Sequence, residues 1–189
     1  NNDAAIALHN QAVALVSAPH DRAIALLALA QDHVEAKDMA TARQEFGQIL
    51  QLGLPATHRY LGLALIELGA LESLEGNPRA ADDAFARAIA IHRANSSDLE
   101  QARALYRRAE ARMRVRNTRS VLTDTSTALR LFDEIGVQGT QAEGRASFRA
   151  TYRGAVTRRL AKLEVPPGTR PGAQLFVGDP YYWGGRSPG

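Results

Sequence analysis

The feature that most constrains this chain is a helical period that never gives way to another. From Asp3 to about Leu163, Ala/Leu-rich stretches of 12 to 20 residues place apolar side chains three and four apart, with short polar breaks between them and no alternation of period two. The spacing predicts eight helices. Their ends carry capping chemistry: Pro19 opens the second, Asp38 caps the third, and Gly53 with Pro55 separates the third from the fourth. Gly76-Asn77-Pro78 is a stop, an N-cap and a first-turn proline in succession. Ser97-Asp98-Leu99-Glu100 and Thr140-Gln141-Ala142-Glu143 fit the capping box, and Gly136 is placed to end the seventh helix. Loops this short make consecutive helices antiparallel neighbours, so the unit of construction is a helical hairpin.

The hairpins repeat. In Gly62 to Asn95, Leu65, Leu68, Gly69, Gly76, Ala81, Phe85 and Ala88 fall at the spacings of a tetratricopeptide repeat, and the segment resembles that family. Small residues let two helices approach closely, and the phenylalanine fills the gap to the next hairpin. Glu72 stands where tyrosine is usual and Arg93 where proline is usual. Leu26, Leu29, Ala30, Ala42 and Phe46 repeat the arrangement before this unit; Leu105, Ala109, Val121 and Ala128 do so after it, with Thr125 in the phenylalanine position. Ala5, His9 and Ala12 read as the second half of a unit that lacks its first. The marker position thus recurs at Ala5, Ala42, Ala81 and Val121, with spacings of 37, 39 and 40 against the usual 34. The resemblance implies an all-α, right-handed α-α superhelix of about eight antiparallel helices. It divides into a half repeat (1–18), three repeats (19–55, 56–95, 96–136) and a long helix (137–163), which together make a helical domain over 1–163.

A shorter stretch, Leu129 to Leu163, contains Arg145-Ala146-Ser147-Phe148, Ala150, Arg153 and Ala155. It resembles the long helix that follows the repeats in bacterial proteins with a C-terminal CHAT domain, a caspase-like protease module. In those proteins a His/Cys dyad cuts the substrate and the repeats act as a sensing and docking arm. This chain has no cysteine, so only the role of a regulatory arm carries over. The remaining residues, 164–189, hold five Pro and six Gly with little charge, a composition expected to be disordered or loosely docked. Pro180-Tyr181-Tyr182-Trp183 resembles a tetrapeptide near the end of CHAT domains, and is read instead as an aromatic anchor or an accident of sequence.

Composition removes whole classes of chemistry. With no cysteine there is no disulfide, thiol nucleophile, thiolate zinc site or iron-sulfur cluster, and a reducing, cytoplasmic setting is the expectation. The longest apolar run, Ala23 to Ala30, has eight residues where a membrane span needs about 20, so no membrane partner is expected. Asn1-Asn2-Asp3 shows no export signal and reads as a cut in a longer protein. His9, His20, His33, His58 and His92 include no pair one turn apart, so metal sites and cofactors are not expected, and inter-helix polar packing is. Asp82-Asp83 and Asp133-Glu134 are adjacent on helices and diverge by about 100°, which does not make an acid/base pair. No strained nucleophile turn or phosphate loop is present, so no catalytic residue is named and an enzyme is not expected.

What remains is a surface. Residues 1–97 carry 7 basic and 11 acidic side chains, whereas 98–170 carry 15 and 8, almost all of the excess being arginine. The cluster Arg107, Arg108, Arg112, Arg114, Arg116 and Arg119 has only Tyr106 interleaved, poor material for stacking nucleic-acid bases. The first helix of each unit lines the inner face of a repeat superhelix, where an extended peptide or a helix docks. There the register places Ile24, Leu27 and Gln31, then Ile66, Ala70 and Ser73, then Arg103, Tyr106, Glu110 and Met113. Arg103, Tyr106, Glu110 and Met113 are the candidate protein-binding residues: Arg103 to fork onto a carboxylate of an acidic partner, Tyr106 and Met113 for adaptable apolar contact. The expected function is protein-protein interaction, as scaffold or sensor. The alternatives are an arginine-mediated nucleic-acid binder and a cysteine-free enzyme.

Overall fold

A computed structural model describes residues 2–114 and 118–138, and every described element is an α-helix. The seven helices are α1 (Asn2–Leu15), α2 (Pro19–Glu35), α3 (Met39–Leu50), α4 (Arg59–Leu74), α5 (Pro78–Ala94), α6 (Asp98–Arg114) and α7 (Thr118–Gln138). The expected long helix over 137–163, the Thr140 capping box and the tail 164–189 lie outside the described residues beyond Gln138. Consecutive helices are joined by three residues, except that eight join α3 to α4. Connections this short between touching helices reverse the chain, which gives the hairpins α2/α3, α4/α5 and α6/α7 with α1 set against α2.

The caps explain the boundaries. Asp38 Oδ1 accepts the Thr41 backbone N–H at 3.1 Å and Oδ2 accepts the Thr41 hydroxyl at 2.6 Å, which holds its carboxyl below the ordinary value. Asn77 sits at the N-cap of α5 ahead of Pro78, but its side chain turns away and donates to Glu72 Oε2 at 2.9 Å. Three helices end alike. After α2, α4 and α5 the backbone enters the left-handed region at Lys37, Gly76 and Ser96 (φ 66°, 82° and 52°). The next N–H then returns to a carbonyl of the last turn: Asp38 to His33, Asn77 to Glu72 and Ser97 to His92. Gly136 does not end α7, which runs on to Gln138; one glycine costs a helix only about 1 kcal/mol, too little to stop it alone.

The positions that the expected repeat marks are enclosed. Ala42, Ala81 and Val121 are each wholly enclosed, as are Phe46 and Phe85, and Thr125 occupies the third such position. A Cβ on Gly69 would meet the Phe85 ring at 3.1 Å, so the glycine is what admits the ring. At Gly62 a Cβ would fall 2.6 Å from His92 Nε2, and His92 is fully buried there. The core has two parts: one gathers α2, α3 and one side of α4 around Leu26, Phe46 and Leu71, the other gathers α4 to α7 around Phe85, Tyr106 and Phe132. Leu50 packs against both.

Candidate functional site

The helices form two rows with different neighbours. Besides the helix before and after it, α4 approaches α2 on one side and α6 on the other, whereas no Cα of α1, α3, α5 or α7 comes within 8 Å of another helix of that row among the described residues. The row α2, α4, α6 is the one that the register assigns to the inner face.

Ile24, on α2, is 44% exposed, an unusual amount for a large aliphatic side chain in this fold, and Gln31, Ala70 and Ser73 are half-buried. Leu27 and Ile66 lie in the core instead, Leu27 in its first part and Ile66 in its second, so neighbouring helices cover positions that the register left open. Of the four candidate binding residues on α6, Arg103 points to α4, where its Nη2 donates to Glu67 Oε1 at 2.5 Å. It is thus held to a carboxylate of its own chain rather than extended toward a partner. Tyr106 is wholly enclosed and belongs to the core of α4 to α7; its ring packs in the interior, a correction to its expected place on the contact surface. Glu110 Oε2 accepts from Arg107 Nη1 at 3.2 Å, one turn back on the same helix. Met113 follows on α6, with its side chain outside the description.

Glu67 was legible only as a lone acid in the apolar run from Leu61 to Leu71. Its burial makes it the acceptor that fixes Arg103, and its second oxygen, Oε2, is enclosed without a hydrogen bond. A similar signal marks Glu45 on α3, buried and accepting from His33 Nδ1 at 2.9 Å. Burial pushes the Glu45 carboxyl above its ordinary value, and the bond to His33 offsets only part of that.

The arginines of the third unit are drawn inward as well. Arg108 forks onto Asp124 through Nε and Nη2 at 2.9 and 2.7 Å. Arg112 bridges Asp82 on α5 (2.6 and 2.9 Å) and Asp124 on α7 (2.9 Å). Burial opposes the charge on Arg112, and the two carboxylates outweigh it and hold the guanidinium above its ordinary value. Arg107, Arg108 and Arg112, half of the cluster that suggested a phosphate track, are thus bound to carboxylates of the chain, while Arg116 and Arg119 fall on residues whose side chains are not described.

Of the five histidines only His20 and His58 meet. His9 pairs with Asp32 at 2.5 Å and His33 with Glu45; His20 Nδ1 lies 3.2 Å from His58 Nε2, both beside the Tyr60 ring. His92 is enclosed, neither ring nitrogen reaches a well-formed hydrogen bond, and desolvation lowers its pKa; the Glu100 charge and then the Gly62 backbone pull the other way without overcoming it. Among the described residues no group of three or more His, Asp or Glu converges as a metal site, and no helix is long and apolar enough to cross a membrane. A cleft of about 420 Å³ opens between α3 and α5 over α4, lined by Leu50, Ala56, Leu61, Leu65 and Ile91 with Arg87 at its rim.

No family model, curated protein or solved structure matches the chain.

Proposed function

We propose that this chain is a right-handed α-α superhelix of the tetratricopeptide type and works as a protein-protein interaction scaffold or sensor, holding a peptide or helix along the row α2, α4, α6. The observation that carries this reading is the asymmetry of the two rows. Where one row of helices closes up and the other stays apart, the stack bends, and the closed row lines the hollow side. The repeated enclosure of Ala42, Ala81 and Val121, and of Phe46 and Phe85, supports the repeat register. The partner contact is centred on Ile24, Gln31, Ala70 and Ser73, where surface remains, with Arg103 and Glu110 at the far end as paired charges. Because Arg103 is paired to Glu67, a largely apolar peptide fits this face better than an acidic one. The cysteine-free composition suits a cytoplasmic setting, and the CHAT-like stretch makes a regulatory arm of a larger assembly the corresponding role.

A test is selection of peptides from a displayed random library against the whole chain, followed by photo-crosslinking of the best binder. Crosslinks on α2, α4 and α6, with affinity falling at least about tenfold in Ile24→Glu (on the order of 1.4 kcal/mol), are the expected result. Crosslinks confined to α3 and α5, where the 420 Å³ cleft lies, would overturn the assignment of the face. The internal pairing of the arginines disfavours the nucleic-acid alternative, for which oligonucleotide affinity falling steeply with salt would be the sign.

A further inference from the structure

The connection from α3 to α4 is eight residues long where the others among the described helices have three. Extra loop costs chain entropy, and loops held on a rigid scaffold are where binding residues gather. This loop is held. Asn95, at the end of α5, donates from Nδ2 to the Thr57 carbonyl at 2.6 Å and to the Ile91 carbonyl at 3.0 Å. The His58 N–H donates to the Pro55 carbonyl at 2.7 Å, which closes the turn just before α4. The loop therefore runs from the end of α3 to the end of α5 and is fastened there.

Its course gives the 420 Å³ cleft a closed end. Leu50 of α3 and Ile91 of α5 form the sides, Leu61 and Leu65 of α4 the floor, and Ala56 with Thr57 of the loop the end wall. The volume is that of a small-molecule site (about 300 to 1,000 Å³), which is mostly apolar with a few polar groups that set the ligand's orientation. An extended peptide runs through a groove, and here it would meet the loop. The polar group is Arg87, one turn before Ile91 on α5 and so on the side away from the loop. Its side chain is 59% exposed, and the nearest carboxylate, Asp83 Oδ2, lies 3.9 Å away, beyond hydrogen-bond length. Arg103, Arg108 and Arg112, by contrast, are each held at hydrogen-bond distance by a carboxylate of the chain.

We propose that the cleft binds a small amphipathic carboxylate, its unbranched acyl chain lying over Leu61 and Leu65 toward the loop and its carboxylate forked onto Arg87. Three observations select that ligand. The apolar lining at the closed end and the guanidinium at the rim ask for a body and a head of opposite character. From Arg87 to Asn95 helix α5 advances about 12 Å, which calls for a chain of medium length. One guanidinium matches one negative charge, whereas a phosphate monoester, at about −1.5 to −2, would set surplus charge beside Asp83. The site lies between helices of the other row and does not rest on the peptide reading of α2, α4 and α6.

The test is titration of the whole chain with decanoate and, separately, with decanol, followed by calorimetry and by methyl NMR. The expected result is saturable, one-to-one uptake of decanoate that shifts the methyl resonances of Leu50, Leu61, Leu65 and Ile91, with decanol at least about fivefold weaker. Arg87→Gln is expected to remove that preference and leave decanol binding unchanged. Ala90→Phe, at an exposed position of the lining, is expected to abolish uptake of both ligands at unchanged helicity. Decanoate binding undiminished in Arg87→Gln, shifts confined to other methyl groups, or no saturable uptake would each overturn the proposal. In the last case, contacts from residues 139–189 to the same methyl groups would identify the chain itself as the occupant.

Discussion

The first two hairpins and the third solve the same packing problem with different chemistry. In α2/α3 and α4/α5 an enclosed phenylalanine fills the unit: Phe85 lies against Gly69, and Phe46 shares its buried cluster with Ala30. In α6/α7 the equivalent position is Thr125, and beside it Asp124 gathers Arg108 and Arg112. The junctions between hairpins differ in parallel. Arg43 on α3 pairs with Glu72 and with Glu75 (2.6 Å) at the end of α4; at the next junction the equivalent positions are Asp82 and Arg112, the same bridge with its charges exchanged. Apolar filling rewards any neighbour of the right shape, whereas a bridge of fixed polarity rewards one neighbour only. Exchanged polarity at successive junctions thus specifies which hairpin stacks on which, at little gain in stability, since exposed bridges are worth about 1 kcal/mol or less.

Removing the rings should have the largest effect. Phe46→Ala and Phe85→Ala should each cost about 3 to 5 kcal/mol in urea unfolding, and Thr125→Ala no more than about 1. A loss below about 1 kcal/mol at either ring would break the stacking register. Asp124→Ala comes next, at about 3 kcal/mol, because it leaves two largely enclosed guanidinium groups without their shared carboxylate; Glu72→Ala, at the more open junction, should cost only about 1. Equal losses at Asp124, inside the third hairpin, and at Glu72, between the first two, would erase the distinction drawn here. Polarity is tested by Arg43→Glu combined with Glu72→Arg: each single change should destabilise, and the pair should recover about 1 kcal/mol of coupling in a double-mutant cycle.

A third contrast concerns His92 and Phe132, which occupy equivalent positions and are both enclosed. The folded pKa of His92 is lowered by desolvation, so below the unfolded value of about 6.5 the unfolded chain takes up a proton that the folded chain resists. Stability is complete above that value and declines as pH falls from it toward the folded pKa. His92→Phe should flatten this slope, read as melting temperature between about pH 5 and 7. The smallest effect is expected at the helix stops: Lys37 holds by strain the left-handed conformation that Gly76 holds freely, so Lys37→Gly should stabilise by up to about 1 kcal/mol.

Local chemistry was the legible part of the fold. Pro19, Asp38, Gly76 and Pro78 sit at the ends of α2, α3, α4 and α5 as their roles require, and the expected hairpins form, whereas Asn77 holds the N-cap position of α5 without capping through its side chain. Gly136 shows the limit, because a single glycine is a weak stop when the flanking residues favour helix. The candidate site was less legible. Tyr106 and Arg103 were placed by register alone, which gives the side of a helix but not the depth to which its neighbour covers it. The charge exchange between Arg43/Glu72 and Asp82/Arg112 joins residues about 30 positions apart, so it emerges only once the hairpins are laid on one another.

That every described helix touches only its first and second neighbours along the chain has a kinetic consequence. No part of this core waits on a distant segment, so few long loops have to close before contacts begin to reward them. Folding can start at any hairpin and spread by accretion, and α4, which contributes to both parts of the core, is where growth from the two ends meets.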